Sequence, residues 1–132
     1  MLHMLDTNMS SYILKHRPAK VRARFEEAGN DGLVLSTVVL AELYYGAARH
    51  PKGTVIREEI DDFAVRLAIL PWDGSAADHY GSIRAALERV GSPIGAMDMM
   101  IAAHARSLDA TLVTNNTKHF RRVPGLLLTH WL

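Results

Sequence analysis

Leu33-Val34-Leu35-Ser36-Thr37-Val38-Val39-Leu40-Ala41-Glu42 reads, within ten residues, as a buried strand, a cap and the first turns of a helix. An apolar run this short, with no polar alternation, suits a strand covered on both faces, as in a parallel sheet. Ser36 and Thr37 are residue types that cap helices, and helical spacing then carries from Val38 to Arg49. Glu42 lies one turn in. Its neighbours three and four residues away are Val38, Val39, Tyr45 and Gly46, so the acid looks out across an apolar surface.

The same unit recurs on either side. Upstream, Leu2 to Leu5 is a short apolar run that stops at Asp6-Thr7-Asn8, which favours a strand end and a cap. A helix is expected from about Met9 to His16, broken by Arg17-Pro18, and a second from Ala19 to Ala28 with Val21 and Phe25 on its apolar face. Gly29-Asn30-Asp31-Gly32 reads as a turn. Downstream of the Pro51-Lys52-Gly53 loop, Thr54 to Ala68 has Ile56, Ile60, Phe63 and Leu67 at core spacing. Ile69 to Trp72 is a short strand ending in Asp73-Gly74, and Ser75-Ala76-Ala77-Asp78 has the capping-box pattern at the start of a helix that ends at Gly91. A helix opens at Ala96, Thr111 to Thr114 is a strand running into Asn115-Asn116, and Leu126 to Leu128 is a last strand. Strands alternating with helices imply an α/β fold: a parallel sheet of four to five short strands with helices on both faces. Residues 1–132 are expected to form a single domain.

The composition excludes several classes. Apolar residues make up 48% and charged residues 22%, an ordinary globular balance, and the net charge of +1 does not mark a nucleic-acid binder by bulk electrostatics. With Cys 0, disulfide frameworks and thiolate metal sites are excluded. The N-terminus meets Asp6 after a few apolar residues and no run approaches a membrane span, so a cytoplasmic protein without signal peptide or membrane association is expected.

At helical spacing from Ala96, Asp98 shares a face with Ile101, Ala102 and Ala105, which places a carboxylate on a core-facing stripe. Such a charge is costly unless neutralised, paired or bound to a metal, and no Lys or Arg stands three or four residues away. In open α/β sheets the site lies beyond the carboxyl ends of the strands. Asp6, Asp98, Asn115 and Asn116 are expected there, with Glu42 near the same edge. Carboxylates converging on one pocket require a cation, and an all-oxygen donor set favours Mg²⁺ or Mn²⁺ over zinc. That chemistry suits phosphodiester hydrolysis. Each acid also has a plain structural reading: Asp6 as a cap, Glu42 as half of an ion pair, Asp98 as complement to a helix dipole, Asn115 and Asn116 as turn residues. Asp73 and Asp78 are best explained as turn and capping residues. The His 7 total is scattered without ligand spacing, so no histidine is expected at the site.

Leu5-Asp6-Thr7-Asn8, Ser36 to Gly46, Pro93 to Ala102 and Leu112 to Phe120 together resemble the successive motifs of the PIN-domain nucleases, and more narrowly those of the VapC toxins of bacterial toxin–antitoxin pairs. The resemblance runs in order over essentially the whole chain. It implies a Mg²⁺-dependent endoribonuclease, with Mn²⁺ able to substitute. Asp6 and Asp98 would hold the metal, Glu42 would orient the attacking water, and Thr7 and Ser36 would support the acids. Many PIN domains carry a fourth acid where this chain has Asn116, which counts with Asp6, Glu42 and Asp98 as a catalytic candidate: its amide could accept a hydrogen bond from metal-bound water but adds no charge, so a second ion would be held weakly. The resemblance further implies a transfer-RNA substrate, the initiator tRNA at its anticodon region, with products ending in 5′-phosphate and 3′-hydroxyl. It also implies a cognate VapB-like antitoxin and a toxin homodimer. Lys118, Arg121 and Arg122 form a basic group beside the proposed site, and Lys15, Arg17, Lys20, Arg22 and Arg24 form a second. Two alternatives remain: a non-toxin PIN nuclease of RNA processing, and a FitB-like module that docks a partner and DNA with little catalysis.

Overall fold

The computed structural model describes residues 1–132, the side chains of residues 28–31 excepted. The chain runs β1 (His3–Leu5), α1 (Thr7–His16), α2 (Ala19–Gly32), β2 (Leu33–Ser36), α3 (Thr37–Ala48), α4 (Gly53–Ala64), β3 (Ala68–Leu70), α5 (Gly74–Arg89), α6 (Ala96–Ser107), β4 (Thr111–Val113), α7 (Thr117–Phe120) and β5 (Leu127–Thr129). The strands form one five-stranded sheet in the order β3-β2-β1-β4-β5. Every pairing is parallel. The chain builds outward from β1 through β2 to β3, then crosses back to lay β4 and β5 on the other side of β1. That reversal makes the β1/β4 boundary the switch point of the sheet, where side chains beyond the strand ends can line a crevice.

Helices cover the sheet because the strands are apolar on both faces. Met4, Leu5, Leu35, Ile101 and Leu112 are fully buried, each worth about 1.5–3 kcal/mol relative to an exposed position. Trp131 returns near the C-terminus to pack against His3 and Phe25, closing one end of the core. Arg106 joins α6 to its surroundings, donating to His79 and Ser82 of α5 and to the Pro124 carbonyl.

Several boundaries differ from the sequence reading. The helix expected to reach Ala68 stops at Ala64, and Ala68 instead opens β3, paired with Val34. Pro71 comes directly after β3 and has no N–H to extend a ladder, so the strand ends at Leu70 and not Trp72. The α5 cap is Asp73, whose Oδ1 accepts from Ala76 N at 3.0 Å, and Ser75 lies inside the helix. Gly91, at φ 64, closes α5 as expected. The last strand is shifted by one residue, to Leu127–Thr129. The second helix, expected to end at Ala28 before a turn at Gly29 to Gly32, runs to Gly32 as α2. Among the described residues no helix is long and apolar enough to cross a membrane.

Candidate active site

The site is assembled where β1, β2 and β4 end. Asp6 directly succeeds β1 and is only 2% exposed. Its backbone N–H donates to Val113 O of β4. Its carboxylate works on both sides of the switch point: Oδ1 accepts from Met9 N at 2.7 Å as the N-cap of α1, and Oδ2 accepts from the Thr114 hydroxyl at 2.5 Å. Burial pushes the Asp6 pKa above the usual aspartate range. The bonds from Thr114 and Met9 oppose that rise, while the negative charges of Asp98 and Glu42 add to it. These three acids therefore share one electrostatic environment despite lying on separate elements.

Glu42 is half-buried on α3. It does not merely face apolar surface: Thr7, the first residue of α1, donates its hydroxyl to Oε1 at 2.5 Å. Ser36 is placed differently from its expected role. Its Oγ caps α3 through Val38 N and meets His104 Nδ1 at 2.8 Å, with no carboxylate among its partners. Burial holds the His104 pKa below the usual histidine value, partly offset by Asp73, so this ring is a neutral core group.

Asp98 corrects the argument from burial. Its side chain is 40% exposed, because Met99 takes the core-facing position in the first turn of α6 while Ile101, Ala102 and Ala105 continue the buried stripe. The partner it lacked on its own helix comes from α7: His119 Nε2 lies 3.0 Å from Asp98 Oδ2. The expectation that no histidine reaches the site is therefore overturned. Twenty-one residues separate the pair, and no helical or strand period connects them. Thr114, also unforeseen as an Asp6 partner, directly follows β4, a strand whose neighbour could not be read from the chain. Asn116 has an exposed side chain and begins α7; its backbone N–H, not its amide group, is tied to Thr114 Oγ1 at 2.9 Å.

Among the described residues, no group of three Asp, Glu or His side chains stands at distances that would grip a metal directly. The donor set nonetheless fits a small hard cation. Mg²⁺ keeps much of its water and is commonly held by one or two carboxylates plus substrate phosphate. Asp98 Oδ1 and Glu42 Oε2 accept no hydrogen bond from the described residues, and the repulsion felt by Asp6 would be relieved by positive charge between the acids. Lys118, Arg121 and Arg122 are exposed on and beside α7, and Arg122 also donates to Pro93 O ahead of α6.

The PIN domain family profile matches residues 3–126. The chain is 45% identical over 129 residues to the tRNA(fMet)-specific endonuclease VapC of Shigella flexneri, covering 97% of this chain and 96% of that protein. It is 39% identical over 132 residues to Ribonuclease VapC2 of Rickettsia felis, covering 99% and 98%. Among solved structures, a chain of the DNA-bound VapBC complex from Salmonella typhimurium superposes with a TM-score of 0.96 at 39% identity, covering 100% of both chains.

Proposed function

The chain belongs to the PIN-domain family and, within it, to the VapC ribonucleases, and on that premise we propose that it is the toxin of a toxin–antitoxin pair that hydrolyses a transfer RNA with Mg²⁺. The observation that carries the reading is the placement of the acids: Asp6 is buried after β1 and tied to Thr114 beyond β4, and Glu42 is held by Thr7, the residue that follows Asp6. The initiator tRNA is the substrate favoured by likeness to the Shigella endonuclease. Residues 1–132 act as one nuclease domain, in the cytoplasm, as a homodimer held inactive by a VapB-like antitoxin; the VapBC complexes among the structural neighbours support that partner.

In this reading Asp6 and Asp98 hold the metal, and Mn²⁺ can replace Mg²⁺. When bound, the ion supplies Lewis-acid polarisation of the phosphoryl oxygen and acidifies water. Thr7 anchors Glu42 through Oε1, leaving Oε2 to orient the attacking water. The Thr114 and Met9 bonds hold Asp6 in one rotamer, so the carboxylate needs little reorganisation. Lys118 and Arg121 contact phosphates and set the strand over the acids. Asn116 adds no charge and begins the turn that carries them.

The test is a total transfer-RNA pool incubated with purified protein in Mg²⁺, in EDTA, and with Asp98→Asn. Discrete Mg²⁺-dependent fragments that vanish in the variant are expected. Equal inertness of wild type and variant, with metal present and antitoxin absent, would remove the catalytic reading.

A further inference from the structure

The His119–Asp98 contact joins α6 to α7 at the open side of the site. The ring of His119 is itself fixed: it packs edge-on against Phe120, with centroids 5.4 Å apart and planes at 82°, and Phe120 is buried at 1% exposure. His119 N also bonds back to Asn116 O. A half-buried imidazole held this way presents Nε2 to one oxygen of Asp98 and to no other carboxylate among the described residues. Asp98 has no second protein partner there, so without His119 its side chain would rotate in a partly exposed cleft.

We propose that His119 is a positioning residue for the metal site: its Nε2–H donates to Asp98 Oδ2, fixes that carboxylate's rotamer, and leaves Oδ1 turned to the cation. The inference rests on the proposed role of Asp98 as a metal ligand. The donation requires only that Nε2 carry a hydrogen, which holds for the Nε2–H tautomer and for the imidazolium alike. Partners that orient a ligand in this way typically contribute 10–100-fold to metal affinity when tested by removal. α7 contributes an orienting donor in place of further negative charge.

Calorimetric titration of the purified chain with Mn²⁺, alongside His119→Ala, His119→Gln and His119→Asn, tests this without relying on turnover. A glutamine amide nitrogen reaches about where Nε2 lies, whereas an asparagine nitrogen falls near Nδ1. His119→Ala and His119→Asn should therefore weaken Mn²⁺ binding by about 10–100-fold, and His119→Gln should recover most of the loss. Thermal melts in EDTA identify any variant that has lost its fold. Nitrogen-15 NMR of the His119 ring should show Nε2 protonated both with and without Mg²⁺. Equal Mn²⁺ affinity in wild type and all three variants would overturn the proposal, as would loss of the Nε2 proton on metal binding, which would make His119 a ligand. Failure of the wild type to bind Mn²⁺ at all would instead refute the metal site itself.

Discussion

Thr114 Oγ1 donates to Asp6 Oδ2 at 2.5 Å across 108 residues of chain, tying the ends of the two strands between which the sheet reverses direction. The same hydroxyl oxygen accepts from Asn116 N. One side chain thus fixes both the buried acid and the first residue of the segment leading to α7.

Thr114→Val keeps the shape and removes both bonds. Hydrogen bonds to charged groups contribute about 1.5–3 kcal/mol, so urea denaturation at pH 7 should show a loss of that size, with Mg²⁺ affinity also reduced. A wild-type midpoint together with wild-type affinity would show that the bond does not position Asp6.

Asp6 itself is a liability to the metal-free fold. Its folded pKa is raised, chiefly by burial, so the folded chain binds the proton more tightly than the unfolded chain. Stability therefore falls as pH rises from the ordinary aspartate value of about 3.9 through the raised one, and the full cost is present above it. In EDTA at pH 7, Asp6→Asn should melt higher than wild type, with the difference closing below about pH 4. Mg²⁺ should raise the melting temperature of wild type but not of the variant. A variant that melts lower than wild type at pH 7 in EDTA would contradict this.

His104 gives the opposite pH dependence. Its folded pKa is lowered by burial, so the unfolded chain takes the proton first. The stability is complete above the ordinary histidine value of about 6.5 and is lost as pH falls through that value toward the folded one. Unfolding midpoints measured from pH 7.5 to 5 should drop more steeply for wild type than for His104→Asn, which keeps a polar group near Ser36 but cannot titrate. Parallel profiles would rule out the assignment.

Lys118 and Arg121 are predicted to act on RNA binding before chemistry. Replacing both with Ala should raise KM with little change in kcat. It should also lower the salt slope of RNA binding by about one unit per lost phosphate contact. Unchanged salt dependence would move the RNA path elsewhere on the surface.

Much of this architecture is legible along the chain, because strand, cap and helix succeed one another locally. Leu33 to Glu42 contains all three in order, and Asp6 and Asp98 stand out by their positions at element ends, Glu42 by its place on an otherwise apolar helix face. Features that depend on which strand lies beside which are not legible in this way. Nothing local says that β4 pairs with β1, so Thr114 cannot be matched to Asp6 from the sequence. Nor does any period link Asp98 to His119. Helical spacing assigns Asp98 a burial it does not have: the period identifies a stripe but not where the core beneath it stops, and Met99 fills the place instead. Similarly, Leu67 and Ala68 fit the α4 stripe, yet pairing with Val34 draws Ala68 into β3.

The most direct test of a metal-dependent nuclease is the chemistry of the cut ends. Initiator tRNA treated with wild-type protein and Mg²⁺ should give fragments bearing a 5′-phosphate and a 3′-hydroxyl, with none in EDTA or with Asp98→Asn. Fragments ending in a 2′,3′-cyclic phosphate and a 5′-hydroxyl, formed equally well in EDTA, would mean that the RNA's own 2′-hydroxyl is the nucleophile and that the acids at the β1/β4 boundary do not bind a catalytic metal.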